Sequence, residues 1–188
     1  MNPIFAAALE LQDFCEARGF SFCFIGGLAL QRWGEPRLTQ DVDLTVISGF
    51  GREADYIDQF LSSFTPRIPD AREFALQHRV LLLLSRNGIP LDVALGAMPF
   101  EVRAAARASP FAVAEGVSLR TCSPEDLIVF KAFAGREQDW IDIEGIAVRR
   151  CRHLDLHLIW QELMPLLELK EDQHTAPQLR QILEQSAA

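Results

Sequence analysis

At 188 residues and 49% apolar composition, the chain has the length of one domain and enough core material to exclude intrinsic disorder. A formal net charge of -8 excludes a protein that coats nucleic acid by bulk electrostatics, while leaving room for a local basic groove. The longest apolar run, Val80 to Leu84, is strand-sized, and the N-terminus lacks the basic start of a secretory signal, so a cytoplasmic chain with no membrane span is expected.

Residues 3–18 carry Ile4, Ala7, Ala8, Leu11, Phe14 and Cys15 at helical spacing and end at Gly19. The run Phe20 to Ile25 reads as a buried strand, Gly26-Gly27 as a tight turn, and residues 28–34 as a short helix stopped by Gly34-Glu35-Pro36. A strand is expected at about 40–47 and a helix over 52–64, before Pro66. Val80 to Ser85 and Pro90 to Leu95 form a hairpin pattern around Asn87-Gly88. Residues 99–108 read as helix, with short strands at Phe111 to Val113 and Val117 to Leu119. At Ser123 the character changes: a capping serine, Pro124 at the first helical position and acids in the first turn open a helical series over 124–134, 137–149, 155–169 and 176–185. The expected class is α/β (α+β by stricter usage). Residues 1–120 form a small mixed-sheet core, and a helical C-terminal region over 121–188 packs on it as one unit.

Asp41 and Asp43 stand one residue apart in an apolar strand, so they share a face while Val42 and Leu44 turn inward. Two close carboxylates repel unless a cation or proton lies between them. Mg²⁺, which takes oxygen ligands from one or two carboxylates and from substrate phosphates, suits such a pair. The Gly26-Gly27 turn lets backbone N–H groups approach a phosphate at a helix start. Asp92 is a lone acid in Pro90-Leu-Asp-Val-Ala-Leu95, costly in a sheet unless it faces a site or pairs with Arg37 or Arg79. If its strand lies beside the Asp41/Asp43 strand, three carboxylates converge, as a two-metal centre for displacement at phosphorus requires. The four cysteines, Cys15, Cys23, Cys122 and Cys151, show no paired spacing and read as buried thiols. Trp33, Trp140 and Trp160 read as packing residues, and His153 and His157, four apart, lack the glutamate of a zinc-protease pattern.

The order glycine pair, short helix, Asp-x-Asp, later single acid resembles the polymerase-beta-like nucleotidyltransferase superfamily over residues 20–95. The run Arg37-Leu-Thr-Gln-Asp41-Val-Asp43, with Lys131 and Arg136-Glu-Gln-Asp139-Trp-Ile-Asp142, is similar to the small bacterial nucleotidyltransferases of the abortive-infection and toxin–antitoxin type, and extends the match to about residue 150. The resemblance implies that Gly26 and Gly27 hold the triphosphate. Asp41 and Asp43 would bind Mg²⁺, Asp92 would complete the metal site or act near the incoming nucleophile, and Lys131 would reach the triphosphate. It makes Asp139 or Asp142 a base or nucleotide contact. Arg37 either contacts a phosphate or balances the acid cluster, and with Thr39 it is placed among the candidate nucleotide-binding residues. One departure stands out: Gly27 replaces a serine hydroxyl found in many members.

The expected activity is Mg²⁺-dependent transfer of a nucleotidyl group from an NTP, with ATP among the candidates, to an acceptor hydroxyl, with two ions and release of pyrophosphate. The acceptor is left open among tRNA, a protein side chain and a small molecule, and an antitoxin protein is an implied partner. The rivals are an aminoglycoside-type nucleotidyltransferase and a non-catalytic nucleotide- or metal-binding module.

Overall fold

A computed structural model describes residues 2–150 and 153–187 of the chain. Cys151 therefore lies outside the described residues. The chain divides into two compact units, one of Met1–Leu28 with Leu38–Cys122 and one of Ala29–Arg37 with Ser123–Ala188.

The first unit is built on strands β1 (Phe22–Phe24), β2 (Val42–Ile47), β3 (Thr65–Pro66), β4 (Val80–Leu84), β5 (Pro90–Gly96), β6 (Ser109–Ala114) and β7 (Val117–Thr121). They form one mixed sheet in the order β3-β4-β5-β2-β1-β7-β6. β2 and β5 run parallel, as do β1 and β7, and the remaining neighbours are antiparallel. Helices α1 (Pro3–Ala17), α3 (Glu53–Leu61) and α4 (Ala71–His78) supply the helical half of the main core. Their Leu11, Phe14, Ile57, Phe60 and Ala75 join Val42, Leu44, Val46, Leu81, Leu83, Leu91 and Val93 from the strands. Period-2 alternation then sends Asp43, Leu82 and Asp92 to the opposite face, where they are only half-buried. Helix α5 (Pro99–Arg107) packs on β1 and β2, with Glu101 beside Thr45 and Ile47 at Gly96.

The β4–β5 hairpin turns at Asn87-Gly88, where Gly88 takes a φ of +80° and Ser85 closes the loop on Ile89. Two elements go beyond the sequence reading: the two-residue edge strand β3 and helix α4, whose left-handed cap residue Arg79 leads straight into β4. Cys15, Cys23 and Cys122 are buried thiols, and burial pushes Cys15 up to about 12.

Helix α2 (Gly26–Trp33) begins in the first unit and ends in the second. The second unit otherwise contains α6 (Pro124–Ala134), α7 (Glu137–Arg150), α8 (Leu156–Lys170) and α9 (Thr175–Ala187). Ser123 accepts a hydrogen bond from the Asp126 backbone at the start of α6, as its capping pattern predicts. α6 packs on α7 and α8, and α9 on α7, around Leu127, Ile128, Ile143, Ile146, Ile159, Leu163 and Leu179. His153 precedes α8, so it shares no helical face with His157. No described helix is long and apolar enough to cross a membrane.

Candidate active site

The β1–α2 turn is shaped by what its glycines lack. Ile25 donates its backbone N–H to the Asp43 carbonyl, and Gly26 then takes a φ of +56° to start α2. A Cβ at Gly26 would stand 1.9 Å from Asp43 Oδ2, so the Asp43 carboxylate lies directly on the bare Cα. A Cβ at Gly27 would stand 2.4 Å from Thr39 Oγ1. Thr39 is buried and donates from that hydroxyl to Asp41 Oδ1 at 2.9 Å. A side chain at position 27 would therefore collide with Thr39, whose hydroxyl orients the first aspartate.

Asp41 sits immediately before β2, and Asp43 is its second residue. The parallel β2–β5 register sets Asp43 directly opposite Asp92. Oxygen atoms of all three carboxylates lie within 4.8 Å of one another, each group half-buried. Carboxylate oxygens alone form a hard donor set, which fits Mg²⁺ and does not suit softer metals. Burial raises Asp92 above the usual carboxylate range; Arg67 partly offsets this and nearby Asp41 adds to it. The cation paired with Asp92 is Arg67, with Nη2 to Oδ1 at 2.7 Å, rather than Arg37 or Arg79. Arg79 instead pairs with Glu53.

The remaining candidates meet inside the helical unit. Lys131 is 5% exposed and donates to Asp139 at 3.1 Å and to Asp142 at 2.6 Å. It does not snorkel to water. Arg37 grips Asp142 with two hydrogen bonds of 3.1 and 3.2 Å, and Gln138 adds a third at 3.0 Å. Arg136, the residue just before α7, binds Asp139 at 2.7 Å. Burial pushes Asp139 and Asp142 upward, but the hydrogen bonds from Arg136, Arg37 and Lys131 outweigh it and hold both below the ordinary carboxylate range. Trp33, Trp140 and Trp160 are half-buried, with arginines stacked over Trp33 and Trp160.

Arg67 is the residue that sequence reasoning missed. It lies in Arg67-Ile-Pro-Asp70, where an arginine carries no pattern of its own, and its meaning comes from the β3–β4 pairing.

A mixed sheet that gathers one carboxylate at the start of β2 with two more on β2 and β5, beside a glycine turn, defines a nucleotidyltransferase of the polymerase-beta-like class. Residues 15–187 match the family model described as Nucleotidyl transferase AbiEii toxin, Type IV TA system. The chain belongs to that family, and it is an enzyme of the nucleotidyl-transferring kind. Among solved structures it is similar to an antigenic nucleotidyltransferase-like protein from Paracoccidioides brasiliensis, with a TM-score of 0.54, 16% identity, and coverage of 95% of this chain and 93% of that one. The antibiotic-resistance factor ANT(2'')-Ia gives a TM-score of 0.52 at 17% identity over 90% of this chain and 97% of that chain. The lincosamide antibiotic adenylyltransferase LnuA, lincomycin-bound, gives 0.50 at 12% identity over 75% and 94%. These likenesses concern the fold. No curated protein matches the chain.

Proposed function

We propose that the protein is a Mg²⁺-dependent nucleotidyltransferase that moves a nucleotidyl group from an NTP to an acceptor hydroxyl, acting in the cytoplasm as the toxin-like component beside an antitoxin. The observation that carries this reading is the convergence of Asp41, Asp43 and Asp92 within 4.8 Å. The AbiEii family supports the toxin setting.

Asp41, Asp43 and Asp92 would hold two Mg²⁺ ions. Bound there, the metal supplies Lewis acidity toward the acceptor hydroxyl and charge neutralisation for the pyrophosphate. Thr39 fixes Asp41 by its 2.9 Å hydrogen bond, and Gly26 leaves Asp43 the space it occupies. The backbone N–H groups at Gly26 and Gly27 would donate to triphosphate oxygens at the start of α2. We assign Lys131 to the distal phosphates, a role it takes by exchanging one of its hydrogen bonds to Asp139 and Asp142 for a phosphate oxygen. Arg37 and Asp139 fall to supporting roles, because each is already engaged in charged hydrogen bonds and Asp139 is a poor base below the normal carboxylate range.

The test is a transfer assay with each of four α-labelled NTPs and Mg²⁺, offering total RNA, cell protein and an aminoglycoside panel as acceptors. Label moved by wild type and not by Asp41→Asn/Asp43→Asn is the expected result, and the labelled species names the acceptor class. Intact NTP binding with no transfer to any acceptor would replace this reading with a binding module.

A further inference from the structure

The three acidic side chains do not end the row in which two of them stand. Arg67 donates its backbone N–H to the Leu82 carbonyl at 3.0 Å, continuing the β3–β4 pairing by one residue. Leu82 stands opposite Asp92, and Asp92 stands opposite Asp43. Arg67, Leu82, Asp92 and Asp43 therefore form one line across four neighbouring strands. Asp92 is held from one side by a resident guanidinium at 2.7 Å and faces Asp43 and Asp41 on the other. Both members of the Arg67–Asp92 pair are about one-third exposed, with side-chain values of 30% and 31%. Solvent screens the pair only in part.

Resting on the metal-centre reading above, we propose that Arg67 is a positioning residue for the transfer reaction. It locks one oxygen of Asp92, aims the other at the metal side of the row, and supplies a fixed positive charge that limits how strongly the acidic cluster attracts free divalent cation. The physical argument has two parts. A guanidinium hydrogen bond restricts the carboxylate's rotation, so one oxygen is presented in a set direction before any ligand arrives. The same charge opposes an incoming divalent ion and competes for the carboxylate. Orientation and charge thus act in opposite senses on turnover and on bare metal affinity. That opposition separates the role from simple structural support, in which both would decline together.

The experiment combines Mn²⁺ titration of the nucleotide-free protein, followed by electron paramagnetic resonance, with steady-state kinetics of wild type, Arg67→Ala and Arg67→Lys. For Arg67→Ala, Mn²⁺ alone is expected to bind about threefold tighter or more, through loss of a nearby positive charge. Its kcat is expected to fall about tenfold or more at a nucleotide KM within about threefold of wild type, since misplacing a reacting group slows chemistry more than binding. Arg67→Lys keeps the charge and loses the planar fork, so its Mn²⁺ affinity should match wild type while kcat lies between the other two. An Arg67→Ala kcat within twofold of wild type would overturn the proposal, and so would a kcat loss accompanied by weaker Mn²⁺ binding. Absence of saturable Mn²⁺ binding in wild type and both variants would instead remove the metal centre itself.

Discussion

Three carboxylates with oxygens inside 4.8 Å repel one another by on the order of 1 to 4 kcal/mol per pair, depending on how far water screens them. Thr39 answers Asp41 with a hydroxyl and Arg67 answers Asp92 with a charge, so two of the three carboxylates are held in set orientations. Asp41→Asn removes one charge and keeps an oxygen for Thr39. In the absence of divalent cation this substitution is expected to raise the melting temperature by about 3 °C, the equivalent of about 1 kcal/mol in a chain of this size. On the Mg²⁺-NTP reading proposed above, the wild type is expected to melt higher with Mg²⁺-NTP and the variant to lose that shift, because only a ligand of the native state moves the melt. A lower melt with a full Mg²⁺-NTP response would remove Asp41 from the metal set. These acids were legible in the sequence because Asp43 and Asp92 interrupt apolar strands and Asp41 stands two residues before Asp43. Arg67 was not, because charge in a polar loop is ordinary until strand register shows where it points.

Helix α9 shows what a single element owes to its first residues. Asp172 accepts from the Thr175 backbone at 3.0 Å, from the His174 backbone at 2.9 Å and from the Thr175 hydroxyl at 2.9 Å. Those bonds, the Thr175 backbone first, lower its carboxyl from 3.8 to about 2. A depressed carboxyl stabilises the fold above its unfolded value and loses that contribution as pH falls toward its folded value. Asp172→Ala is therefore expected to cost about 1 kcal/mol at pH 7. In urea unfolding the gap from wild type should narrow as pH drops from 4 to 3, and a constant gap would show that the carboxylate charge is irrelevant to the cap. Most elements were legible because each carries its own periodicity or cap, as Ser123-Pro124 does for α6. Helix α4 was hidden because it buries only Ala71 and Ala75, too small to mark a face. Strand β3 was hidden because it is two residues long and contains Pro66, tolerable only at a sheet edge.

At the scale of the molecule, the two compact units hold different kinds of polar group. The sheet unit gathers Asp41, Asp43 and Asp92 within 4.8 Å of one another, and the helical unit buries Lys131 with Asp139 and Asp142 in a hydrogen-bonded network. Partners such as Arg37 and Asp142, far apart in sequence, left no local pattern to read. Trp33, Trp140 and Trp160, the chain's full set of three tryptophans, all fall in the helical unit, so their fluorescence reports on it. Lys131→Met removes the ammonium shared by two buried carboxylates, leaving Asp139 to Arg136 and Asp142 to Arg37 and Gln138. The helical unit is expected to lose about 2 kcal/mol, read as an earlier tryptophan transition. If Lys131 also meets the distal phosphates, the same variant should weaken NTP binding more than NMP binding. Equal weakening of both nucleotides would leave Lys131 a purely internal counter-ion, and an unmoved tryptophan transition would refute the network's weight in stability.

The parallel pairing of β2 with β5 has a consequence for the order in which this protein comes into being. Asp43 meets Asp92 only after β5 has been synthesised and has found a strand made well before it, and such non-local pairing is slow to form. A nascent chain that has not reached Pro90 holds two of the three carboxylates and lacks the strand that brings the third. Translation therefore completes almost half of the polypeptide before the three carboxylates can come together, and a product ending earlier lacks Asp92 altogether.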